Sequence, residues 1–461
     1  MRYAISRRLA SALVLALAVI NFGLADTSAA SEKDDAMALA RETGSGYSDS
    51  KAAMLRPGVS LNDFLIYGAL NNPGLKAAYY NWVSELEKVA VVGGLPDPTV
   101  SYGYFIKNVE TRVGPQNQRF GIKQSIPWFG TLGKRGDAAF ELAQAAYQNY
   151  QSEKLRLFYS ITRAYNDYYY LGRNVEIASD NLELLKLWES VATTKYKAGI
   201  SPYADLIKIQ VELGKLDDQL TSLEEMKRPL EYKLRSALGL PDSLPLPAPT
   251  SIANSEFIAE RDSVTIWALR HNPNLNALNH LLSKEKIEIS LANIARLPNF
   301  TLGADYIETG EAVNPGLAES GKDPWMVSVS LNVPIWFGKN NARVRQAQAR
   351  RDAAENRLAD SRNQIEAYIS RVLFEYEDAV RKIGLYEDGL IPKAEQSLNA
   401  SYTAYQSGES DFLNLLDAQR ELLEFQLNLE KARTDASTKL AEIEMTIGKD
   451  ISNPISKSPI K

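Results

Sequence analysis

The chain has no cysteine and only two histidines among its 461 residues. Disulfides, zinc–thiolate sites, thiol catalysis and a lipid anchor on an N-terminal cysteine are therefore excluded. His271 and His280 lie on opposite faces of a predicted helix, so we predict no metal site. The net charge of −5 leaves no basic surface for nucleic acid, and we find no motif for a cofactor.

Long apolar segments are also missing beyond the N-terminus. Residues 1–30 have the form of a secretory signal peptide, with arginines followed by the apolar run Leu9–Ile20 and a cleavage site after Ala30 or Ala25. Residues 31–60 are left as an N-terminal segment. No later segment is long and apolar enough for a membrane helix, so any membrane-spanning part would have to be built from strands.

What the chain does contain is a duplication of one large unit. Three motifs recur at a separation of about 200 residues: Asn72-Pro73 and Asn272-Pro273, Trp128-Phe129-Gly130 and Trp336-Phe337-Gly338, and Tyr196 to Gly199 and Tyr405 to Gly408. A single repeat of this length indicates a duplicated domain rather than a solenoid. We assign residues 61–241 and 261–448 to the two copies, 242–260 to a proline-rich linker and 449–461 to a C-terminal tail.

Each copy contains a pair of alternating segments. We predict strands at 99–106, 119–126, 299–307 and 325–333, where apolar residues alternate with small or polar ones. One face is too polar for a soluble core, as Ser328, Ser330 and Asn332 show. Strands that are apolar on one side and polar on the other are typical of transmembrane barrels. The connections 107–118 and 308–324 are then expected to be loops exposed outside the cell.

The predicted helices are too long for a compact domain. Residues 132–198 contain no proline and keep helical apolar spacing, which predicts a helix of roughly 100 Å. A second predicted helix at residues 206–238 runs antiparallel to the first. Residues 342–407 and 413–447 form the corresponding pair of helices in the second copy. Pro392 is expected to kink or break the later long helix.

Four strands cannot close a barrel, because open edges in lipid leave unpaired backbone groups. An isolated pair of amphipathic helices would likewise leave apolar side chains exposed to water, so it also requires neighbouring helices. Both features predict an oligomer.

With this order of parts, the mature chain resembles the TolC-like outer-membrane efflux proteins (outer membrane factors), of the kind without a lipid anchor. The resemblance implies a mainly α protein with transmembrane β structure, assembled as a homotrimer with a twelve-stranded β-barrel above a periplasmic α-helical barrel. It implies an exit duct in a tripartite efflux or type I secretion system, not an enzyme. The expected partners are a periplasmic adaptor, an inner-membrane pump of the RND type and the outer-membrane lipid.

The resemblance also assigns roles near the helix ends. The turns at Gly199 and Gly408 would form the periplasmic tip, where acidic residues at the positions of Asn414 and Asp417 surround the aperture in the family. Of these two positions, only that of Asp417 is acidic in this chain, because the other is Asn414. Tyr405 and Asp205 match positions that tie neighbouring helices. A solvated carboxylate at a helix start and an ordinary surface tyrosine are the alternatives.

Two other classes of protein remain to be weighed. A secreted coiled-coil or adhesive protein would explain the helices but not the four amphipathic strands. A periplasmic hydrolase would need a nucleophile elbow, a zinc-binding histidine pair or a phosphate loop, and the sequence contains none. Four neighbouring tyrosines, Tyr165 and Tyr168 to Tyr170, are interpreted as helix packing rather than a ligand cage. The sequence carries no signal for the cargo.

Overall fold

The computed structural model describes residues 27–49, 55, 58–252, 260–314 and 316–449. The chain divides into two units, residues 1–49 and 50–461. Within the first, α1 (Thr27–Asp49) is a helix that the sequence analysis did not assign. The predicted signal peptide lies outside the described residues up to position 26, as do residues 253–259 of the linker and 450–461 of the tail.

The second unit contains the duplication. The first copy comprises α2 (Leu61–Asn71), α3 (Pro73–Gly93), β1 (Thr99–Thr111), β2 (Gly114–Ile126), α4 (Thr131–Lys197) and α5 (Tyr203–Leu238). The second copy comprises α6 (Arg261–His271), α7 (Pro273–Ile294), β3 (Asn299–Thr309), β4 (Trp325–Asn332), α8 (Phe337–Gly384), α9 (Ile391–Ser407) and α10 (Phe412–Ile447).

The repeated Asn-Pro pairs break the chain into two helices at the same place in each copy. Asn72 and Asn272 cap α3 and α7, each accepting a hydrogen bond from the backbone three residues on, at 3.0 and 3.1 Å. Proline then occupies the first helical turn, where no partner for its nitrogen is needed. Each asparagine also donates to the end of the returning helix, Asn72 to the Ala237 carbonyl and Asn272 to that of Thr446.

The long helix of the first copy is continuous, as predicted. α4 has 67 residues, which corresponds to about 100 Å. It packs against α3, α5 and α7 along its length. Near its middle, Ile161 and Tyr165 are buried with Leu234 and Leu238 of α5. Each helix therefore buries one apolar stripe against its neighbours.

The second long helix is interrupted, also as predicted. α8 ends at Gly384, and residues Leu385–Leu390 form a π-helical segment before α9 begins. Pro392 lies in the first turn of α9 and cannot donate the next backbone hydrogen bond. The wider π turn lets the helix continue past this missing donor.

The four strands form one antiparallel sheet in the order β1-β2-β3-β4. All four predicted strands are confirmed, but the loop predicted at 107–118 is wrong. After a bulge between Tyr104 and Val109, pairing resumes and continues to Thr111 opposite Gly114. Only Arg112 and Val113 connect β1 to β2, because the Gly114-Pro115 pair that looks like a turn in the sequence begins the second strand.

Among the described residues, no helix combines the length and the low charge needed to span a membrane.

Candidate functional site

The sheet presents one continuous apolar face. Residues paired directly across strands lie on the same face, and one such row is aromatic in all four strands: Tyr102, Phe120, Tyr306 and Trp325. Successive ring centroids in this row are 5.2, 6.3 and 5.1 Å apart. Further along the same face, Val100 and Val327 are 76% and 81% exposed in the protomer. An apolar face this exposed must be covered by another apolar medium.

A second aromatic group lies at the other end of the strands. Trp128 stacks on Phe300 with centroids 5.5 Å apart, and Phe129 and Trp336 are largely exposed. Phe300 and Tyr306 are on the same face of β3, about 20 Å apart at the usual rise per residue. Two aromatic girdles bordering an apolar band of about 25 Å are characteristic of transmembrane barrels.

The opposite face of the sheet is polar. Asp305 is buried in the protomer, and Arg119 Nε donates to its Oδ1 at 3.0 Å. Gly121, directly opposite Asp305, leaves room for this pair, since a Cβ there would lie 2.4 Å from the carboxylate. Ser328 and Ser330 continue the polar face along β4, as predicted.

Both edges of the sheet are free of partner strands within the described residues. β1 pairs only with β2 and β4 only with β3. The four strands therefore form one continuous sheet whose two edge strands, β1 and β4, each have one unpaired side in the described part of the chain.

The far ends of the long helices form two similar turns. Gly199 and Gly408 both have positive φ, +67° and +80°. Each closes the preceding helix by backbone hydrogen bonds, Ile200 N to Lys195 O and Glu409 N to Ala404 O, both 2.9 Å. This is the glycine-terminated helix end expected from the sequence.

The two residues predicted to surround the aperture share an exposed face of α10. Asp417 is 68% exposed and lies 3.3 Å from Arg420 on the same helix. Asn414 donates to the Ser410 hydroxyl at 3.0 Å. Neither residue contributes to the core, so both are accessible for a role outside the protomer.

Tyr405 and Asp205 lie near one another at the tip, and Tyr405 is not a surface residue. It is 4% exposed and packs edge-on against Phe412 at 5.4 Å. Burial raises the pKa of Tyr405, and the Asp205 carboxylate raises it further. The nearby Ser201 hydroxyl lowers the pKa of Tyr405 and so partly offsets this shift. Within the described residues, neither the Ser201 nor the Tyr405 hydroxyl has a hydrogen-bond partner of ordinary geometry.

Asp205 itself is partly buried at the start of α5. Burial raises the pKa of its carboxyl, Lys208 lowers it, and the nearby Asp411 raises it. The tip of one protomer therefore brings the exposed Asp411, the partly buried Asp205 and the buried Tyr405 close together.

Sequence reasoning missed the cation that joins the two tips. Lys195, near the end of α4, donates to the backbone carbonyls of Tyr405 and Gln406. Its ammonium also lies 4.2 Å from the centre of the Tyr405 ring. These contacts connect the first and second copies at their ends. No motif marks this lysine, because its partners are backbone atoms.

A second missed contact also joins the two copies. Arg420 of α10 forms two hydrogen bonds to Glu212 of α5, at 3.0 and 2.6 Å. The guanidinium holds the pKa of the Glu212 carboxyl below its usual range. A two-point arginine–carboxylate pair fixes orientation as well as distance, so it holds the two helices in register.

The tyrosines of α4 are packing residues, as interpreted. Tyr165 donates to the Ser251 carbonyl at 2.9 Å, and Tyr168 donates to Glu231 at 2.8 Å. His280 lies 2.8 Å from Glu141, and no cluster of metal-ligating side chains occurs in the part of the chain that the structure describes.

Residues 267–449 match the family model described as outer membrane efflux protein, which covers nearly all of the second copy. The chain is 23% identical over 410 residues to the pyoverdine export outer membrane protein OpmQ of Pseudomonas putida, covering 83% of this chain and 84% of that one. It is 23% identical over 329 residues to the outer membrane protein TolC of Vibrio cholerae, covering 68% and 72%.

The fold comparison agrees. The crystal structure of the outer membrane protein VceC of Vibrio cholerae superposes with a TM-score of 0.70 and 17% identity, covering 84% of this chain and 96% of VceC. The second copy of this chain therefore matches the outer membrane efflux protein family, and the chain as a whole shares the fold of VceC. The fold expected from the resemblance, long helices joined to a small antiparallel sheet, is thereby confirmed for this chain. Its relatives are channel and transport proteins.

Proposed function

We propose that this efflux protein is the outer-membrane exit duct of a tripartite export system. The observation that carries the proposal is the union, in one chain, of a sheet with a membrane-facing apolar surface and helices of about 100 Å. The sheet places one end of the molecule in the outer membrane. The helices extend the passage into the periplasm.

The duct forms as a homotrimer. A four-stranded sheet with two open edges would leave backbone groups unpaired in lipid, each costing several kcal/mol. In the trimer, β4 of each protomer pairs with β1 of the next, which closes a barrel of twelve strands. The apolar face then contacts lipid, and the Arg119–Asp305 pair lies in the lumen.

The helix ends form the periplasmic aperture. Three copies of Asp417 around one axis attract cations, and Asn414 leaves the ring weaker than two acidic residues would. Lys195 and Tyr405 hold the two tips of each protomer together, and the Asp205 carboxylate beside them loosens this closure when it is ionised. The adaptor and an inner-membrane pump of the RND type engage from the periplasmic side. The protein acts as a passage and not as an enzyme.

The test combines mass and conductance on the full-length protein. Native mass spectrometry in detergent should give three chains per particle, and planar bilayers should show discrete channel openings. Deletion of the gene should reduce export of the pump's substrate, and restoration of the chain should recover it. A stable monomer that does not conduct would contradict the proposal and favour an elongated periplasmic rod.

A further inference from the structure

A cavity of about 790 Å³ lies where the sheet joins the helices. It is bounded by the ends of β3 and β4, the last turns of α7 and the first turns of α4 and α8. Small side chains, Ala292, Ala295 and Ala347, leave the space open. The tip and the apolar face of the sheet, which carry the proposed function, do not include it.

The wall of the cavity is strongly basic. Arg135, Lys339, Arg343 and Arg350 line it, against the single acidic residue Glu288. Within the described ranges, none of these four cations forms an ion pair, whereas four other basic residues of α8 do: Arg351, Arg371, Arg381 and Lys382. Lys339, Arg343 and Arg350 recur on one face of α8, so their charges repel one another.

The sequence of α8 breaks a local rule at this point. The first turns of a helix favour acidic residues, because the unpaired backbone N–H groups carry partial positive charge. Residues 337–351 contain five basic residues and no acidic one. The start of α4 also lines the cavity through Thr131, whose buried hydroxyl has no hydrogen-bond partner in the described chain. Such local conflicts are expected where a site binds a ligand.

The chemistry indicates a phosphate group. Arginine guanidinium groups match phosphate oxygens in paired hydrogen bonds, and helix N-termini bind the same anion. Apolar residues share the wall, among them Leu291, Val333 and Trp336. Trp336 belongs to the second aromatic group, which includes Trp128 and Phe300 and lies at the depth where the headgroups of the periplasmic leaflet would be.

We propose that this cavity binds a phosphate group, carried by an anionic phospholipid of the periplasmic leaflet or by a soluble anion. The position relative to the membrane rests on the proposed function, whereas the anion chemistry does not. A bound phosphate offsets the repulsion among the four cations and holds the start of α8 against α7 at the foot of the sheet.

Binding is measured by calorimetry on the full-length protein in detergent. The probes are inorganic phosphate, a short-chain phosphatidylglycerol and a phosphatidylcholine of equal chain length. The double substitution Arg343→Gln with Arg350→Gln removes two charges from the wall. Arg345→Gln with Arg362→Gln removes two exposed charges from the same helix outside the cavity. Gln346→Glu adds one negative charge to the wall while keeping every cation.

Each basic residue near an anionic headgroup contributes about fivefold to binding, so the wall variant should bind phosphatidylglycerol roughly 25-fold more weakly. The matched control should stay within about twofold of the unmodified protein, and Gln346→Glu should weaken binding by about fivefold. Helical circular dichroism melting verifies that all variants are folded.

Comparison of the three probes also distinguishes the source of the phosphate. Tighter binding of phosphatidylglycerol than of inorganic phosphate identifies a lipid headgroup, and binding of inorganic phosphate without binding of either lipid identifies a soluble anion. Equal and measurable affinity for the two lipids, equal loss in both double variants, or binding of neither phosphatidylglycerol nor inorganic phosphate overturns the inference. A protein that conducts in bilayers but binds neither probe would refute this inference and leave the exit duct standing. One that binds phosphate but neither trimerises nor conducts would refute the duct alone.

Discussion

Single residues at the ends of the returning helices decide how each copy closes. Gly239 follows α5 and Gly448 follows α10, both with positive φ, +67° and +75°. A side chain at Gly448 would have its Cβ 2.4 Å from the His271 carbonyl oxygen, and at Gly239 a Cβ would lie 3.0 Å from the Asn71 carbonyl. These glycines let each returning helix end directly against the Asn-Pro break of its own copy.

We therefore expect Gly448→Ala to destabilise the protein by about 1–3 kcal/mol, because the residue must keep an unfavourable φ and lose its close approach. Gly172→Ala is the matched control, since Gly172 lies within α4 with open space around it. That change should stabilise by up to about 1 kcal/mol. Thermal unfolding followed by circular dichroism measures both, and equal effects would contradict the assignment.

A second residue-scale prediction concerns pH at the tip. The folded-state pKa of Asp205 lies above its unfolded value, chiefly through burial. The ionised carboxylate therefore destabilises the closed tip at pH values above that raised pKa, and the penalty is relieved as pH falls through it. Channel conductance should accordingly decrease as the pH falls through this raised pKa.

Asp205→Asn should remove this decrease, because the amide has no charge to lose. Lys208, Asp411 and Tyr405 surround the carboxyl and remain in the variant. Asp217→Asn, at an exposed position of the same helix, is the control and should retain the unmodified pH profile. Identical profiles in both variants would mean that Asp205 does not control the tip.

At the scale of elements, two prolines have different effects on their helices. Pro392 coincides with a π-helical segment between α8 and α9, whereas Pro229 lies inside α5 without ending it. A proline in a helix interior costs about 3 kcal/mol relative to alanine. The packing of α5 along α4, with Leu216, Leu234 and Leu238 buried, keeps the helix intact despite this cost.

Pro229→Ala should therefore stabilise the protein, by at most about 3 kcal/mol, because it restores one backbone donor and removes a clash. The melting temperature of the helical signal measures the change. Pro202→Ala provides the comparison, since Pro202 precedes α5 and occupies no interior position. A gain no larger than that of Pro202→Ala would show that the helix had already relaxed around Pro229.

At the scale of the whole molecule, the two ends of the duct make separate predictions. Asp417→Ala should lower cation selectivity in planar bilayers, because three carboxylates are lost from one narrow ring. Asn414→Asp should raise it. Both effects should weaken with salt, since exposed charges are screened beyond about 8–10 Å. Unchanged reversal potentials in both variants would remove these residues from the aperture.

The other end is tested by labelling. A tag inserted between Thr309 and Trp325 should be reached by antibody on intact cells, because this connection joins strands whose other ends lead to the helices. The turn at Arg112-Val113 is tighter, so a tag inserted there should perturb the sheet more. Labelling that requires permeabilised cells would reverse the proposed topology.

Local patterns in the sequence were enough to predict the four strands, the long helices and their order. Period-two and helical spacing located the four strands and the long helices, and the recurrence of Asn-Pro and Gly motifs revealed two copies, because these signals are local. The clustering of Tyr405 with Asp205 was anticipated only through the resemblance. Alternation also predicted the polar and apolar faces of the sheet, since side chains on a strand alternate sides whatever its partners.

Which residues come into contact depends on the folded chain. The row from Tyr102 to Trp325 depends on strand register, and a shift of one residue would place these rings on opposite faces. Lys195 bonds to carbonyls more than 200 residues away, and Arg420 finds Glu212 across two copies. The basic cavity collects side chains from three helices. Such contacts are non-local, so no window of sequence contains them, and packing alone brings them together.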